Sequence, residues 1–225
     1  MGLSSTAFIL FRTDCKDLRE NGYTTSGVYP IYPYGIDLSP INAYCEMTTM
    51  GGGWAVIQKR VDGSLDFYKN WEAYKIGFGT PEQNVWIGND VIHQLTKGNN
   101  SSLYVSITFW NGTSLYELYE NFAISDETEK YKLFLAGTAE GTLGDSMLNT
   151  GDPTRDLSGM YFSTPDRDND RLSGGSCAAH FKGGWWFNKC YRAFLNGPAY
   201  IYWPWYPAVE YGTSVRGTLM MIRRH

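Results

Sequence analysis

The sequence predicts an α+β fold: a central antiparallel sheet with a few short helices, between a cystine-closed opening part and a loop-rich final third. Three observations predict it. Apolar residues alternate with period two around residues 103–109, the cysteines fall into two local pairs in sequence order, and periodicity fades after about residue 151.

Residues 13–60 read as a small opening module, where Cys15 and Cys45 bracket turn-rich sequence that includes Ser26-Gly27-Val28-Tyr29-Pro30. Gly51-Gly52-Gly53 then leads into Trp54 to Gln58, which reads as a strand entered through a glycine turn. Regular structure concentrates in residues 61–150. Asn89 or Asp90 is positioned to cap a short helix in which Val91, Ile92 and Leu95 share a face. Leu103, Val105, Ile107 and Phe109 alternate with Tyr104, Ser106, Thr108 and Trp110, which predicts a strand buried on both faces or nearly so. Tyr131, Leu133 and Leu135 suggest another strand, and Thr218 to Ile222 a closing one. Between them lie Gly, Pro, Asp and aromatic residues, a loop-rich stretch long enough to be functional.

A chain of 225 residues supports one good core, so residues 1–225 read as a single domain with lobes at roughly 13–60, 61–150 and 151–225. Aromatic residues make up 16 %, and Tyr and Trp, with a polar tip on an apolar body, often line binding surfaces. The net charge is −4 with no strongly basic patch, which argues against nucleic acid as a partner. No apolar stretch is long enough to insert across a bilayer. The run Ala7-Phe8-Ile9-Leu10-Phe11 is too short for a complete signal peptide, so the chain reads as a mature or trimmed form.

Four cysteines allow three pairings, and sequence order suggests Cys15–Cys45 and Cys177–Cys190. No Cys-x-x-Cys pair points to zinc or thioredoxin-like chemistry. Sequons at Asn99, Asn100 and Asn111 join the even cysteine count in favouring a secreted, extracellular glycoprotein. The histidines His93, His180 and His225 show no triad or zinc spacing, and the cysteines leave no thiol nucleophile, so no enzyme is expected. His93 and His180 are expected to be structural, and Trp185 and Trp186 to be core.

The run Asp166-Arg167-Asp168-Asn169-Asp170, followed by Cys177 and Gly183-Gly184-Trp185-Trp186-Phe187-Asn188-Lys189-Cys190, carries the functional signal. Hard cations such as Ca²⁺ want several oxygens, and alternating carboxylates in a turn supply them. An EF-hand does not fit, because Arg171 stands where the turn glycine belongs and Cys177 where the closing Glu belongs.

An ordered series of motifs accompanies this run: Ser26-Gly27-Val28-Tyr29, Gly51-Gly52-Gly53-Trp54, Val61-Asp62-Gly63-Ser64-Leu65-Asp66-Phe67-Tyr68, Trp86-Ile87-Gly88-Asn89-Asp90-Val91-Ile92-His93, Gly184-Trp185-Trp186 and Leu195-Asn196-Gly197. In this series the chain resembles the fibrinogen C-terminal (fibrinogen-related) domain, most closely the lectins of ficolin, tachylectin and tick ixoderin type. The resemblance runs from Asp14-Cys15 to Met221-Ile222-Arg223. It implies a disulfide-bonded N-terminal lobe, a central antiparallel sheet and a loop-rich C-terminal lobe that carries calcium and ligand. Carried over, the Ca²⁺ carboxylates are Asp168 and Asp170 and the carbonyls Leu172 and Gly174, with Ser173 competing because of one extra residue before Cys177.

The resemblance further implies an acetyl pocket beside the disulfide loop. A cis peptide would fall at Lys189–Cys190 and turn the N–H groups of Cys190 and Tyr191 toward a ligand carbonyl. Phe181, Tyr191, Tyr206 and Ala208 would form the walls, with Trp205 as the alternative to Tyr206. Many acetyl binders carry His where this chain has Tyr191. The implied function is lectin-like, calcium-dependent recognition of acetylated glycans, such as N-acetylglucosamine or sialic acid on microbial surfaces, in innate immunity. The alternative is a protein-binding module of the same family that docks a receptor. A peptide-binding site is the weaker rival, since Glu210 is the only nearby acid after Cys190. A single shallow sugar site gains from avidity, so homo-oligomerisation is a possible partner arrangement.

Overall fold

Strands pair antiparallel in the order β1-β2-β3-β9-β6-β7-β8 in the computed structural model, which describes residues 12–98, 100–199, 203–210 and 212–225. The strands are β1 (Gly27–Ile31), β2 (Ile41–Glu46), β3 (Trp54–Arg60), β4 (Phe78–Gly79), β5 (Val85–Trp86), β6 (Ser101–Thr108), β7 (Ser114–Ile124), β8 (Leu133–Gly141) and β9 (Gly217–Arg224). Short helices α1 (Cys15–Glu20), α2 (Trp71–Ile76), α3 (Asn89–Thr96) and α4 (Cys177–Phe181) are interspersed. The apolar run at residues 7–11 lies outside the described residues.

β9 is the seam of the sheet. Ile222 lies opposite both Ala55 on β3 and Leu103 on β6. Strands from the first 60 residues, the middle and the last ten therefore share one sheet. Arg224 closes the seam at its end through bonds to Asp14 at 3.0 Å and Asp17 at 2.5 Å. Asp14 in turn caps α1 by accepting from the Asp17 N–H. Both cystines expected from sequence order are formed. Cys15–Cys45 ties α1 to β2, and Cys177–Cys190 closes the later loop.

β6 keeps the alternation read in its sequence. Leu103, Val105 and Ile107 are fully buried, while Tyr104, Ser106 and Thr108 are half-buried, so one face is core and the other only partly covered. Phe109 lies past the strand, where its N–H donates to Thr113 across the hairpin turn. The Tyr131 segment is likewise shorter than expected: Tyr131 precedes β8 with φ +49° and Leu133 begins the strand. α3 is not capped by a side chain. Gly88 occupies the cap with φ +108°, Asn89 accepts from the Trp86 indole at 3.1 Å, and Asp90 accepts from the Tyr131 hydroxyl at 2.5 Å. The two polar residues read as caps are thus recruited by aromatic donors.

Those aromatic side chains seat the C-terminal third on the rest. Phe162 packs 5.2 Å from Tyr74 and from Trp186, and 5.9 Å from Trp86, centroid to centroid. Trp185 and Trp186 are fully buried. Tyr74 on α2 donates to Phe67 and accepts from the Gly184 N–H at 3.0 Å. A Cβ at Gly184 would lie 2.6 Å from the Tyr74 ring and 2.9 Å from Phe162.

Two outcomes follow from these contacts. Gly184→Ala is expected to destabilise the protein by about 1–3 kcal/mol through overpacking, read as a lowered denaturant midpoint. Glu46 accepts from Thr48 and Thr49; burial pushes its carboxyl up, but these hydrogen bonds outweigh it and hold the group below its ordinary range. Its stabilisation is therefore complete above a usual glutamate pKa of about 4.3 and is lost as pH falls through the lowered folded value. Glu46→Gln should be less stable than the parent at neutral pH, with the difference closing in acid, as followed by thermal unfolding.

Candidate calcium and ligand site

The acidic run folds so that its side chains part to two sides. Thr164 and Arg167 exchange backbone hydrogen bonds at 3.0 Å and tighten the turn. Asp166 faces α2, where it accepts the Trp71 N–H at 2.9 Å. Arg167 follows it, with its guanidinium 4.2 Å from the Trp71 ring and 3.7 Å from Glu127. Asn169 tucks under the turn by donating to Phe162 O at 2.8 Å. Asp166 is therefore structural, and two carboxylates remain.

Asp168 and Asp170 adjoin one another. The Asp170 N–H donates to Asp168 Oδ1 at 3.1 Å. The two Asp170 oxygens accept the N–H groups of Leu172 and Cys177, each at 2.7 Å. Burial first, and then the charge of Asp168, hold the Asp170 carboxyl above its ordinary range. Two neighbouring carboxylates of this kind repel, and a divalent cation relieves both costs. Each carboxylate oxygen has a second lone pair left for it. Among the described residues no cluster of three or more His, Cys, Asp or Glu side chains converges, so a cation here would draw further oxygens from the main chain. Leu172, Ser173 and Gly174 all lie exposed in the following turn, Gly174 with φ +81°. The residues fit calcium on these grounds.

The disulfide loop couples this turn to a cavity. Ser176 caps α4 by accepting from Ala179, and the helix presents Phe181. At the other end of the loop, Asn188 binds in three directions. Its carbonyl accepts from Arg171 at 3.1 Å, its N–H donates to Cys190, and its buried amide donates to Pro153 at 3.1 Å and Asp156 at 2.8 Å. The expected cis bond at Lys189–Cys190 is not formed. Tyr206–Pro207 is the cis peptide among the described residues, and Cys190 makes its bend in a trans chain with φ +64°. A non-proline cis bond costs about 3–4 kcal/mol, whereas a single left-handed residue costs less and closes the same turn.

An open cavity of about 570 Å³ adjoins the loop, and Phe181, Cys190, Tyr191 and Tyr206 line it. The Phe181 and Tyr191 rings meet edge to face at 4.7 Å. Tyr206 is exposed, whereas Trp205 is fully buried and donates to Gly144 at 2.6 Å, which decides between the two. Ala208 corrects the expectation: it is half-buried, packs against the core and does not line the cavity, because the chain turns back at Pro207 and Val209 pairs with Trp205. Three charged residues on the wall were not foreseen. Asp152 and Arg155 come from a distant loop, with Arg155 Nε 3.3 Å from Asp152 and its Nη1 donating to Tyr191 O at 3.1 Å. Arg192 stands beside Tyr191, and its guanidinium lies 5.8 Å from the Tyr206 ring centroid. Only Arg192 had a signal in sequence, as the neighbour of a residue already chosen.

The remaining candidates fall as follows. His93 Nδ1 contacts Ile124 O at 2.9 Å, and His180 is exposed with its ring edge-on to Phe181 at 4.6 Å. Asn100 and Asn111 are exposed, while Asn99 lies outside the described residues. A second opening of about 590 Å³ at His93, Lys97 and Lys132 has no lining residue from the acidic turn or the disulfide loop.

A sheet seamed by β9, a stapled acidic turn and an aromatic cavity occur together in a domain of known type. Residues 11–223 match the model of the fibrinogen beta and gamma chains, C-terminal globular domain, and the chain belongs to that family. It is 39 % identical over 230 aligned residues to fibroleukin of Homo sapiens, covering 95 % of this chain and 52 % of that one. It is 43 % identical over 184 aligned residues to ryncolin-4 of Cerberus rynchops, covering 82 % and 50 %. The chain thus spans about half the length of the curated relatives it matches. Among solved structures it is similar to the fibrinogen-like globe domain of human ANGPTL6, with TM-score 0.86 and 33 % identity, covering 95 % of this chain and 96 % of that one. It is also similar to lamprey fibrin D-dimer complexed with the peptide Gly-His-Arg-Pro-amide, with TM-score 0.83 and 32 % identity, covering 93 % and 72 %.

The Asn188 amide generates a sharp expectation. Asn188→Ala removes the donor to the carbonyls of exposed Pro153 and half-buried Asp156 and should cost about 0.5–1.5 kcal/mol. Hydrogen exchange is expected to speed up around residues 152–156, and unchanged protection there would mean that the loop is held by other contacts.

Proposed function

We propose that this domain is a calcium-dependent, lectin-like recognition module that binds acetyl groups on glycans, such as N-acetylglucosamine or sialic acid on microbial surfaces, in innate immunity. The observation that carries the reading is the aromatic cavity at Phe181, Tyr191 and Tyr206, hydrogen-bonded through one short loop to the Asp168–Asp170 turn. Aromatic walls suit an acetyl methyl, and backbone donors at the Cys190–Tyr191 bend suit its carbonyl. Asp168 and Asp170 would hold Ca²⁺ by their carboxylates, and Leu172 and Gly174 by their carbonyls. Bound calcium supplies a fixed positive charge to the turn. Asp170 transmits that order through Cys177, and Arg171 through Asn188, so the chain's contribution is preorganisation of the cavity wall. The oxidised cysteine pairs support a secreted, extracellular setting.

A second reading has its own observation. Tyr34, Ile36 and Leu38 on the β1–β2 connection are exposed, as is Ile76, and such apolar residues suit a protein partner. The peptide-capture reading is weaker: two guanidinium groups face one carboxylate in the cavity, the wrong balance for a basic peptide.

Calorimetric titration with N-acetylglucosamine in calcium buffer tests the proposal. Binding is expected with calcium, is lost with chelator, and falls at least about tenfold in Asp170→Asn, a change of about 1.4 kcal/mol. Full binding in chelator would sink the calcium dependence. Absence of binding to any acetylated glycan, with a protein partner that free N-acetylglucosamine does not displace, would favour the second reading.

A further inference from the structure

We propose that Asn111 carries an N-linked glycan whose first N-acetylglucosamine packs against the Phe109 ring and the Thr113 methyl, so that this sugar becomes part of the β6–β7 hairpin. Neither the cavity nor calcium enters into it. Phe109 N–H donates to Thr113 O at 2.8 Å, Gly112 N–H donates to Phe109 O at 3.0 Å, and Gly112 has φ +87°. Residues 110–112 thus form a three-residue hairpin connection, a β-turn closed by a left-handed residue. Phe109 and Thr113 are cross-strand partners, and their side chains share one face. Asn111 stands at the crown, where its Oδ1 accepts the Thr113 N–H at 2.9 Å and so leans the carboxamide toward that pair. Its Nδ2, the atom that takes a sugar, makes no hydrogen bond among the described residues. The crown is open: a Cβ at Gly112 would meet nothing within 4 Å.

Two rings precede Asn111, and their contacts separate them. Trp110 is exposed, but its indole N–H donates to Ser214 at 3.0 Å, which draws that ring toward the segment leading into β9. Phe109 is half-buried against the core, with part of its ring left uncovered beside the exposed Thr113. The electron-rich face of such a ring attracts the weakly positive C–H groups of a pyranose. The sequon at Asn100 has no such seat. Two residues before it stands Gly98, Ser101 is buried in β6, and the Ser102 hydroxyl donates to Glu120 O at 3.3 Å and contacts the His225 ring at 2.8 Å. Attachment needs an oligosaccharide linked to a lipid pyrophosphate as donor. A bond forms between Nδ2 and C1 of the first sugar, the C1–O bond to pyrophosphate breaks, the lipid pyrophosphate leaves, and Nδ2 gives one proton to the transferase. Oδ1 is untouched by this exchange and still accepts the Thr113 N–H.

The test uses the chain secreted from eukaryotic cells with Asn99→Gln and Asn100→Gln, which leaves Asn111 as the remaining Asn-x-Ser/Thr sequon. Glycopeptide mass spectrometry is expected to find Asn111 occupied, and an empty Asn111 overturns the proposal. Three forms are then compared by denaturant unfolding: the intact glycan, the single N-acetylglucosamine left by an endoglycosidase, and the sugar-free chain left by an amidase, which makes the change Asn111→Asp. The first two should be equally stable, and the third should have a folding equilibrium constant about twofold to fivefold lower, the range for a cross-strand side-chain contact. Equal stability of all three overturns the packing. The loss should vanish in Phe109→Leu and persist in Trp110→Ala. An effect of the Asn111→Asp charge alone would survive in Phe109→Leu, and that result overturns the contact with the ring. Disappearance of the loss in Trp110→Ala overturns the choice of Phe109. Should Phe109→Leu not fold, nuclear Overhauser contacts between the first sugar and the Phe109 ring in the parent decide: their presence supports the proposal and their absence overturns it.

Discussion

The carboxylate of Asp170 is the constraint on which the C-terminal third depends. Its oxygens take the N–H groups of Leu172 and Cys177, and so join an exposed turn to a cystine. Little regular structure exists nearby to do this: α4 has five residues, and the neighbouring strand pairings are isolated bridges. In such a region side chains replace the ladders that elsewhere satisfy the backbone. Asn188, Asn169 and Asp166 play the same part at other joints, each bonding main chain that no strand reaches. Order in this lobe is thus a sum of local side-chain anchors on an aromatic floor of Phe162 and Trp186.

That arrangement explains how much could be read from sequence. β6 was legible because one of its faces is core and the other is half-covered, so apolar residues recur every second position. β7 was not, although it has 11 residues, because a register shift between Tyr119 and Asn121 interrupts the alternation and a buried Glu117 sits within it. β1 was hidden too: it is an edge strand with Pro30 in it, half-buried almost throughout, and reads as turn sequence. The caps of α3 were misread because Asn89 and Asp90 found buried aromatic donors stronger in context than a helix end.

The site shows the same division. Asp168, Asp170, Phe181, Tyr191 and the cystine stand close in sequence and were visible together. Asp152 and Arg155 were not, because a loop some 36 residues upstream reaches the cavity through tertiary bonds to Asn188, Lys189 and Tyr191. Ala208 failed for a related reason: counting residues past Tyr206 cannot foresee that the chain doubles back there. The trans form of Lys189–Cys190 shows that a bend of similar purpose can be reached by a left-handed residue instead.

The position of β9 has a bearing on how the molecule comes into being. Among the described residues it is the last strand in chain order, yet it lies between β3 and β6. During synthesis the earlier strands emerge with a gap where their shared neighbour belongs, so two long edges stay open until residues 217–224 leave the ribosome. Open edges invite pairing with other nascent chains. The two halves of the sheet can condense separately, but their union waits until β9 is available.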